Sequence, residues 1–279
     1  MAVIRSIEPM VEQLGPIQVR RVLPAPDQQM VGPFIFLDQG GPLEVPAHLM
    51  QGVGEHPHAG LSTLTYLLAG NGMHRDSAGH TAAIGAGDVA LMTAGRGITH
   101  EERPNPEDTS RMRMVYFAQF WLALPDDVED MAPTFEHHAR DDLPLVALDG
   151  GEVRVLMGDG WGTTAPTTQY AEAVLADITV KAGGSLPLDV PSGERALFLL
   201  EGDAALDGTL LKPHHLALLE EQASPVISST GGARLLIFGG KPFPSRRYIA
   251  GSFVASSPEK INRWAQAYQT GKFPSIRGG

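Results

Sequence analysis

The sequence predicts an all-β protein: two tandem β domains of similar plan, followed by a short C-terminal helix. Three observations lead there. Its 279 residues include 32 glycines and 22 prolines set between short apolar runs, the composition of a chain with many turns and short strands. A buried-strand pattern ending in a glycine turn occurs twice, as Tyr66-Leu67-Leu68-Ala69-Gly70 and Phe198-Leu199-Leu200-Glu201-Gly202, 132 residues apart. One segment near the end carries helical rather than strand periodicity.

Taken in order, the first copy opens at His56-Pro57-His58 and runs through an apolar stretch to Gly70. Asn71-Gly72 and Gly85-Ala86-Gly87-Asp88 are hairpin turn signals, and the stretches between them are too short for helices. Val89-Ala90-Leu91-Met92 follows as a buried strand, and His100-Glu101-Glu102 ends a further β-rich segment. Residues near Pro133 to Pro144 read as a polar connection, which places a first domain at 1–135 and a second at 136–279. In the second copy, Leu216-Ala217-Leu218-Leu219 echoes Val89 to Met92 at an offset of 127, so about five residues are missing from a loop, where deletion costs little. Ser257-Pro258-Glu259 then opens a helix over about 258–270. It has an N-cap serine, proline at the first position and Ile261, Trp264, Ala265 and Tyr268 along one face, and Gly271 ends it.

Composition narrows the function. A formal net charge of -11 argues against a nucleic-acid surface, which needs clustered Lys and Arg. The absence of cysteine excludes a disulfide framework and thiolate metal sites. The first residues lack the apolar core of a secretory signal, and no apolar run approaches the roughly 18 residues of a membrane helix. The expectation is a soluble, cytoplasmic protein with no membrane and no direct nucleic-acid partner.

The chemistry lies in the two histidine motifs. Alternate side chains of a strand share a face, so His56 and His58 point one way, as do His100 and Glu102. Two such strands meeting inside a barrel aim three imidazoles and one carboxylate at one point. Imidazole suits iron, nickel, copper and zinc, whereas calcium and magnesium prefer oxygen cages. A structural zinc would usually close its tetrahedron with cysteine. The expected cofactor is one divalent metal ion in an open site, iron first, with nickel, copper, cobalt, manganese or zinc as alternatives.

The repeat tests this from within. Shifted by 132, His56 and His58 fall on Leu188 and Val190; shifted by 127, His100 and Glu102 fall on Ile227 and Ser229. The strand pattern survives where the ligand types are lost, so the histidines of the first copy call for a chemical reason. Elsewhere, His137-His138 reads as a solvated pair in the connection and His214-His215 as a turn. His74-Arg75-Asp76 reads as a hairpin, either solvated or at a pocket mouth. The glycines from Gly85 to Gly97 lack the spacing and the Lys-Ser/Thr of a phosphate loop, and no Gly-x-Ser-x-Gly elbow or His-Glu-x-x-His pair is present.

Several of these segments together resemble the pirin family: His56-Pro57-His58, Thr65-Tyr66-Leu67-Leu68, His74-Arg75-Asp76-Ser77, Gly87-Asp88-Val89, the run from Met92 to Glu102, Trp121 to Pro125 and Phe253 to Ser257. The resemblance covers nearly the whole chain. It implies a bicupin, two jelly-roll-like cupin β-barrels with metal in the N-terminal one and a degenerate C-terminal one. It also implies His56, His58, His100 and Glu102 as ligands, usually around iron. Two roles come with the family: quercetin 2,3-dioxygenase activity, which opens a flavonol ring with dioxygen and releases carbon monoxide, and regulation through a partner protein. The expected function is the first, with Glu102 as general base for the flavonol 3-hydroxyl. The alternative is a non-enzymatic regulator that responds to metal or redox state.

This chain departs from many relatives at Ala59 and Ser62, where they carry Arg and Glu, which throws the carboxylate role onto Glu102. It departs again at Ala250-Gly251-Ser252, where similar bacterial proteins often have an aromatic pair and Asn; the difference falls at the pocket rim or the domain interface. A bicupin that already pairs two barrels is expected to be a monomer.

Overall fold

The computed structural model describes residues 3–191, 193–221 and 224–276. Two compact units emerge, and each contains the same pair of sheets, one of seven strands and one of four. The histidine-bearing unit comprises Val11–Val19, Phe36–Arg140 and Phe243–Gly279. Its four-stranded sheet runs in the order Val53–His58, Ile98–Arg103, Gly72–Asp76, Thr81–Ile84. The other unit comprises Met1–Met10, Arg20–Ile35 and Asp141–Pro242, and its four-stranded sheet runs Ser185–Pro187, Val226–Ser228, Ala205–Leu206, Thr209–Leu210. Both orders are the same path through the chain. The repeat seen as a spacing of apolar runs is a repeat of whole jelly-roll barrels.

The seven-stranded sheets match position by position as well. In one, Thr134–His138 borders Val89–Thr93, which borders Leu61–Gly70; in the other, Val3–Ile7 borders Leu216–Leu219, which borders Glu194–Gly202. The N-terminal strand thus covers the edge of the second barrel, whereas the C-terminal segment belongs to the first. The compact units group residues 1–10 with 141–242 and residues 243–279 with 36–140. An uncovered edge strand exposes a row of unpaired backbone groups, so each barrel recruits a strand from wherever the chain supplies one. The polar connection is also more ordered than expected. Residues 134–138 are that edge strand, with His137 Nε2 2.8 Å from Asp88 Oδ2, and Leu143 is buried.

Contrary to the hairpin expectation, the two turn signals join strands of different sheets. Asn71-Gly72 joins Leu61–Gly70 to Gly72–Asp76, and Gly85 to Asp88 joins Thr81–Ile84 to Val89–Thr93; in both cases the strands lie in different sheets. These glycines turn barrel corners. The hairpin of this region lies between them, where Gly72–Asp76 pairs with Thr81–Ile84.

The helix forms over Pro258–Gln269 with Ser257 as N-cap, its side chain accepting from Lys260 N. Ile261 and Trp264 are buried against Ala59, Phe253, Ala255 and Phe273, while Tyr268, expected on the same face, is 49% exposed. Its acidic counterpart is Glu129, fully buried, whose carboxylate accepts from Ser256 N at 2.9 Å, Ser256 Oγ at 2.5 Å and the Lys260 ammonium. The contact is close: a Cβ at Gly60, which has φ +72, would sit 1.8 Å from Val254 O and 2.9 Å from the Trp264 ring. Trp264→Ala should therefore cost about 3–5 kcal/mol in urea unfolding, because the cavity left beneath the helix cannot collapse. A loss below about 1 kcal/mol would show that the helix is not part of this core.

Candidate metal centre

His56 and His58 close the strand Val53–His58, and His100 lies within Ile98–Arg103; the antiparallel register sets His100 opposite His56. The pleat then brings His58 to the same side. One ring nitrogen from each of the three lies within 4.8 Å of the others, and the ring centroids are 4.3 to 5.0 Å apart. His58 and His100 are each 1% exposed. Trp121 packs edge-on against the His58 ring at 5.1 Å.

The hydrogen bonds behind two of the rings determine which nitrogen faces the centre. His56 Nδ1 donates to Gly54 O at 2.8 Å and His58 Nδ1 to Ser252 O at 3.2 Å. A carbonyl only accepts, so each Nδ1 carries the proton and each Nε2 keeps a lone pair. His100 Nε2 is buried without a hydrogen-bond partner, a position that a metal ion would satisfy. The donor set fits a divalent metal of the imidazole-binding class.

The two buried imidazoles resist protonation. Burial, and then the nearby His56, push the His58 pKa from 6.5 to about 3, against the opposing hydrogen bond to Ser252 O. His100 is held well below its ordinary value by burial and then by His58, His56 and His74. Both rings are neutral near pH 7, as ligation requires.

Glu102 shares the face of His100, as alternation predicts: against Gly72–Asp76 the register is continuous, with Asp76 opposite His100 and His74 opposite Glu102. The register shift lies in the partner strand Val53–His58, where Val53 stands opposite Glu102. The group brought together is His56, His58 and His100, and the Glu102 carboxylate stands outside it. Thr65 Oγ1 lies 3.1 Å from Glu102 Oε1 and 2.8 Å from Gln119 Oε1, and has one proton to donate to either. Glu102 lies in the wall of a cavity, beside Thr65. That cavity, about 520 Å³, is walled by apolar side chains such as Leu67, Met73, Ile84 and Phe117, with Thr65, His74, Glu102 and Gln119 among its polar groups.

Thr65 and Gln119 were not singled out from the sequence; the available signal was a polar residue inside an otherwise apolar strand. His74 and Asp76 are not a solvated hairpin. They are 5% and 4% exposed, His74 stacks on Phe135 at 4.3 Å, and its Nδ1 lies 3.5 Å from His100 Nδ1. The departures have local explanations. Ala59 is buried under the helix, Ser62 pairs with Thr93 at 2.9 Å, and Ser252 lies behind His58.

Two jelly-roll barrels, one with a histidine cluster and one with an apolar interior, define a bicupin. Comparison with known proteins makes this specific: the Pirin family model matches residues 16–122 and the Pirin C-terminal cupin domain model residues 175–274. A pirin-like protein of Caulobacter vibrioides is 34% identical over 275 residues, covering 96% of this chain and 94% of that protein. The chain belongs to the pirin family. A crystal structure of quercetin 2,3-dioxygenase from Acinetobacter baumannii matches with a TM-score of 0.91 and 31% identity, over 99% of this chain and 92% of that one. A bacterial pirin from Escherichia coli in complex with nickel(II) shares the fold at 19% identity and a TM-score of 0.67, over 86% of this chain and 99% of that one. Among the described residues no helix is long and apolar enough to cross a membrane.

The depressed histidines set a pH dependence. In metal-free protein His58 and His100 stay neutral when folded but take up protons when unfolded, once the pH falls below about 6.5. The unfolded state then binds more protons, so stability falls on acidification, by about 2 kcal/mol for His58 at pH 5, with His100 adding in the same direction. Urea unfolding at pH 7.5 and 5.0 should show this loss, and His58→Leu should make it shallower. Identical pH dependence in the two proteins would contradict the assignment.

Proposed function

We propose that this chain is a metal-dependent dioxygenase that opens a flavonol such as quercetin, with iron as its native metal. The observation that carries the reading is the apolar cavity of about 520 Å³, whose wall includes Glu102, two residues from His100. A pocket of this size and character suits a flat, mostly apolar ligand of drug-like dimensions. The match to a quercetin 2,3-dioxygenase structure at 31% identity supports the same substrate class.

In this reading His56, His58 and His100 hold the metal, and Glu102 completes the set from the cavity side. Iron supplies Lewis-acid polarisation of the flavonol 3-hydroxyl and redox access to dioxygen. The apolar wall binds the ring system and excludes water. Glu102 accepts the 3-hydroxyl proton as general base, held in place by Thr65 with Gln119 beside it. No external reductant is required, because both oxygen atoms enter the products and one ring carbon leaves as carbon monoxide.

Protein loaded anaerobically with Fe(II), then given quercetin and dioxygen, should release carbon monoxide over many turnovers. Glu102→Gln should lower that rate by about 10²-fold or more while metal content stays near that of the wild type. The double variant His58→Ala, His100→Ala should lose both. Metal-replete wild-type protein that releases no carbon monoxide would overturn the flavonol reading, and equal loss of metal and activity in Glu102→Gln would make Glu102 structural.

A further inference from the structure

Two of the three histidines are oriented by backbone carbonyls, but His100 is not. Behind it stands a side chain, His74, and behind His74 stands Asp76. We infer that His74 and Asp76 are a positioning pair that fixes the tautomer of His100 and so leaves its Nε2 lone pair facing the metal. The inference rests on the proposed metal centre and extends it to residues outside the ligand set.

The hydrogen bonds of Asp76 fix the proton positions outward from it. Its Oδ1 accepts from Ala78 N at 2.9 Å and His80 N at 3.1 Å, and its Oδ2 accepts from His80 Nδ1 at 2.8 Å and His74 Nε2 at 3.2 Å. An ionised carboxylate only accepts, so His74 carries its proton on Nε2 and presents a lone pair at Nδ1. That lone pair faces His100 Nδ1 at 3.5 Å. For the contact to be attractive, His100 must carry its proton on Nδ1, which leaves Nε2 as the bare nitrogen. The opposite tautomer would set two lone pairs against each other and bury an N–H at Nε2, where no partner exists.

The fold holds this pair rigidly. Strand register places Asp76 opposite His100 and His74 opposite Glu102. The His74 ring stacks on Phe135 with planes 12° apart, and the His80 ring centroid lies 5.7 Å from that of Phe135. Asp76 itself is fixed by the turn it caps, where Asp76 N donates to His80 O and Gly79 N to Asp76 O. Such outer partners of a ligating histidine commonly alter metal affinity by 10–100-fold.

The substitution Asp76→Asn gives a sharp test, because it should reverse the relay. The asparagine keeps an oxygen for the two backbone donors but offers an amide N–H₂ where Oδ2 accepted. His74 would then accept at Nε2, carry its proton on Nδ1 and donate to His100 Nδ1, which moves the His100 proton to Nε2 and blocks the ligand position. Long-range proton–nitrogen NMR of ¹⁵N-histidine-labelled, metal-free protein reads each tautomer directly. The expected result is Nε2–H at His74 and Nδ1–H at His100 in the wild type, both reversed in Asp76→Asn. Nickel(II) affinity, measured by chelator competition, should fall 10–100-fold in Asp76→Asn and in His74→Phe, which retains a ring on Phe135, with circular dichroism unchanged. A wild-type His100 protonated at Nε2, or nickel affinities within twofold of wild type in both variants, would overturn the inference. Wild-type protein that shows the expected tautomers but binds neither nickel(II) nor iron(II) would instead overturn the metal centre.

Discussion

The pairing of Val53–His58 with Ile98–Arg103 is the constraint on which the site depends. With His100 opposite His56, strand alternation brings His58 to the same side, and three imidazoles meet in the barrel interior. A slip of one residue in either strand would turn its side chains to the other face and disperse the group. The register is held from several directions. Ile98–Arg103 also pairs with Gly72–Asp76, Ala59 bridges to Phe253, and Ser252 joins Pro57 through its hydroxyl and His58 through its carbonyl. The C-terminal segment thus belongs to the barrel that carries the histidines because it buttresses the strand that presents two of them.

The second barrel shows what this interior becomes without ligands. Leu186 lies opposite Ile227 in the pair of strands equivalent to those of His56 and His100, and both are buried with Leu188 in one apolar core. Leucine and isoleucine there contribute burial free energy of about 1.5–3 kcal/mol each. The histidines opposite them in plan contribute less and incur the cost of desolvated polar rings, with His58 driven to a pKa of about 3. The second barrel has an ordinary apolar core where the first buries imidazoles, at a cost in stability.

Much of this was legible from residue order. The two histidine motifs, the repeat and the capped helix are local signals, and the strand period carries His56, His58 and His100 into contact without knowledge of the rest. The parts that were not legible depend on distant chain. Nothing near Val3 marks it as the edge of the second barrel, and nothing near Ser256 marks Glu129 as its partner; both follow from closure of the sheets. Asn71-Gly72 has hairpin chemistry but turns a corner between sheets, because the turn residues are the same for either path. The pleat puts Glu102 on the face of His100, as alternation predicts, but how far its carboxylate stands from the three imidazoles, on the cavity wall, depends on the packing around Thr65 and Gln119. The sequence offset of 132 predicts Leu188 as the counterpart of His56, whereas the register makes it Leu186; a longer loop before Glu194 accounts for the two-residue difference and preserves the face. His74 and Asp76 were visible as residue types, but only the strand pairing shows them to be buried behind His100.

The claim that most else rests on is that His56, His58 and His100 bind one metal ion together through their Nε2 atoms. X-ray absorption at the iron edge of Fe(II)-loaded protein tests it most directly, since imidazole rings give multiple-scattering features that count them. One iron per chain with three imidazoles among its ligands is the expected result. Iron bound with no imidazole or only one, or a spectrum unchanged in the His58→Ala protein, would contradict it.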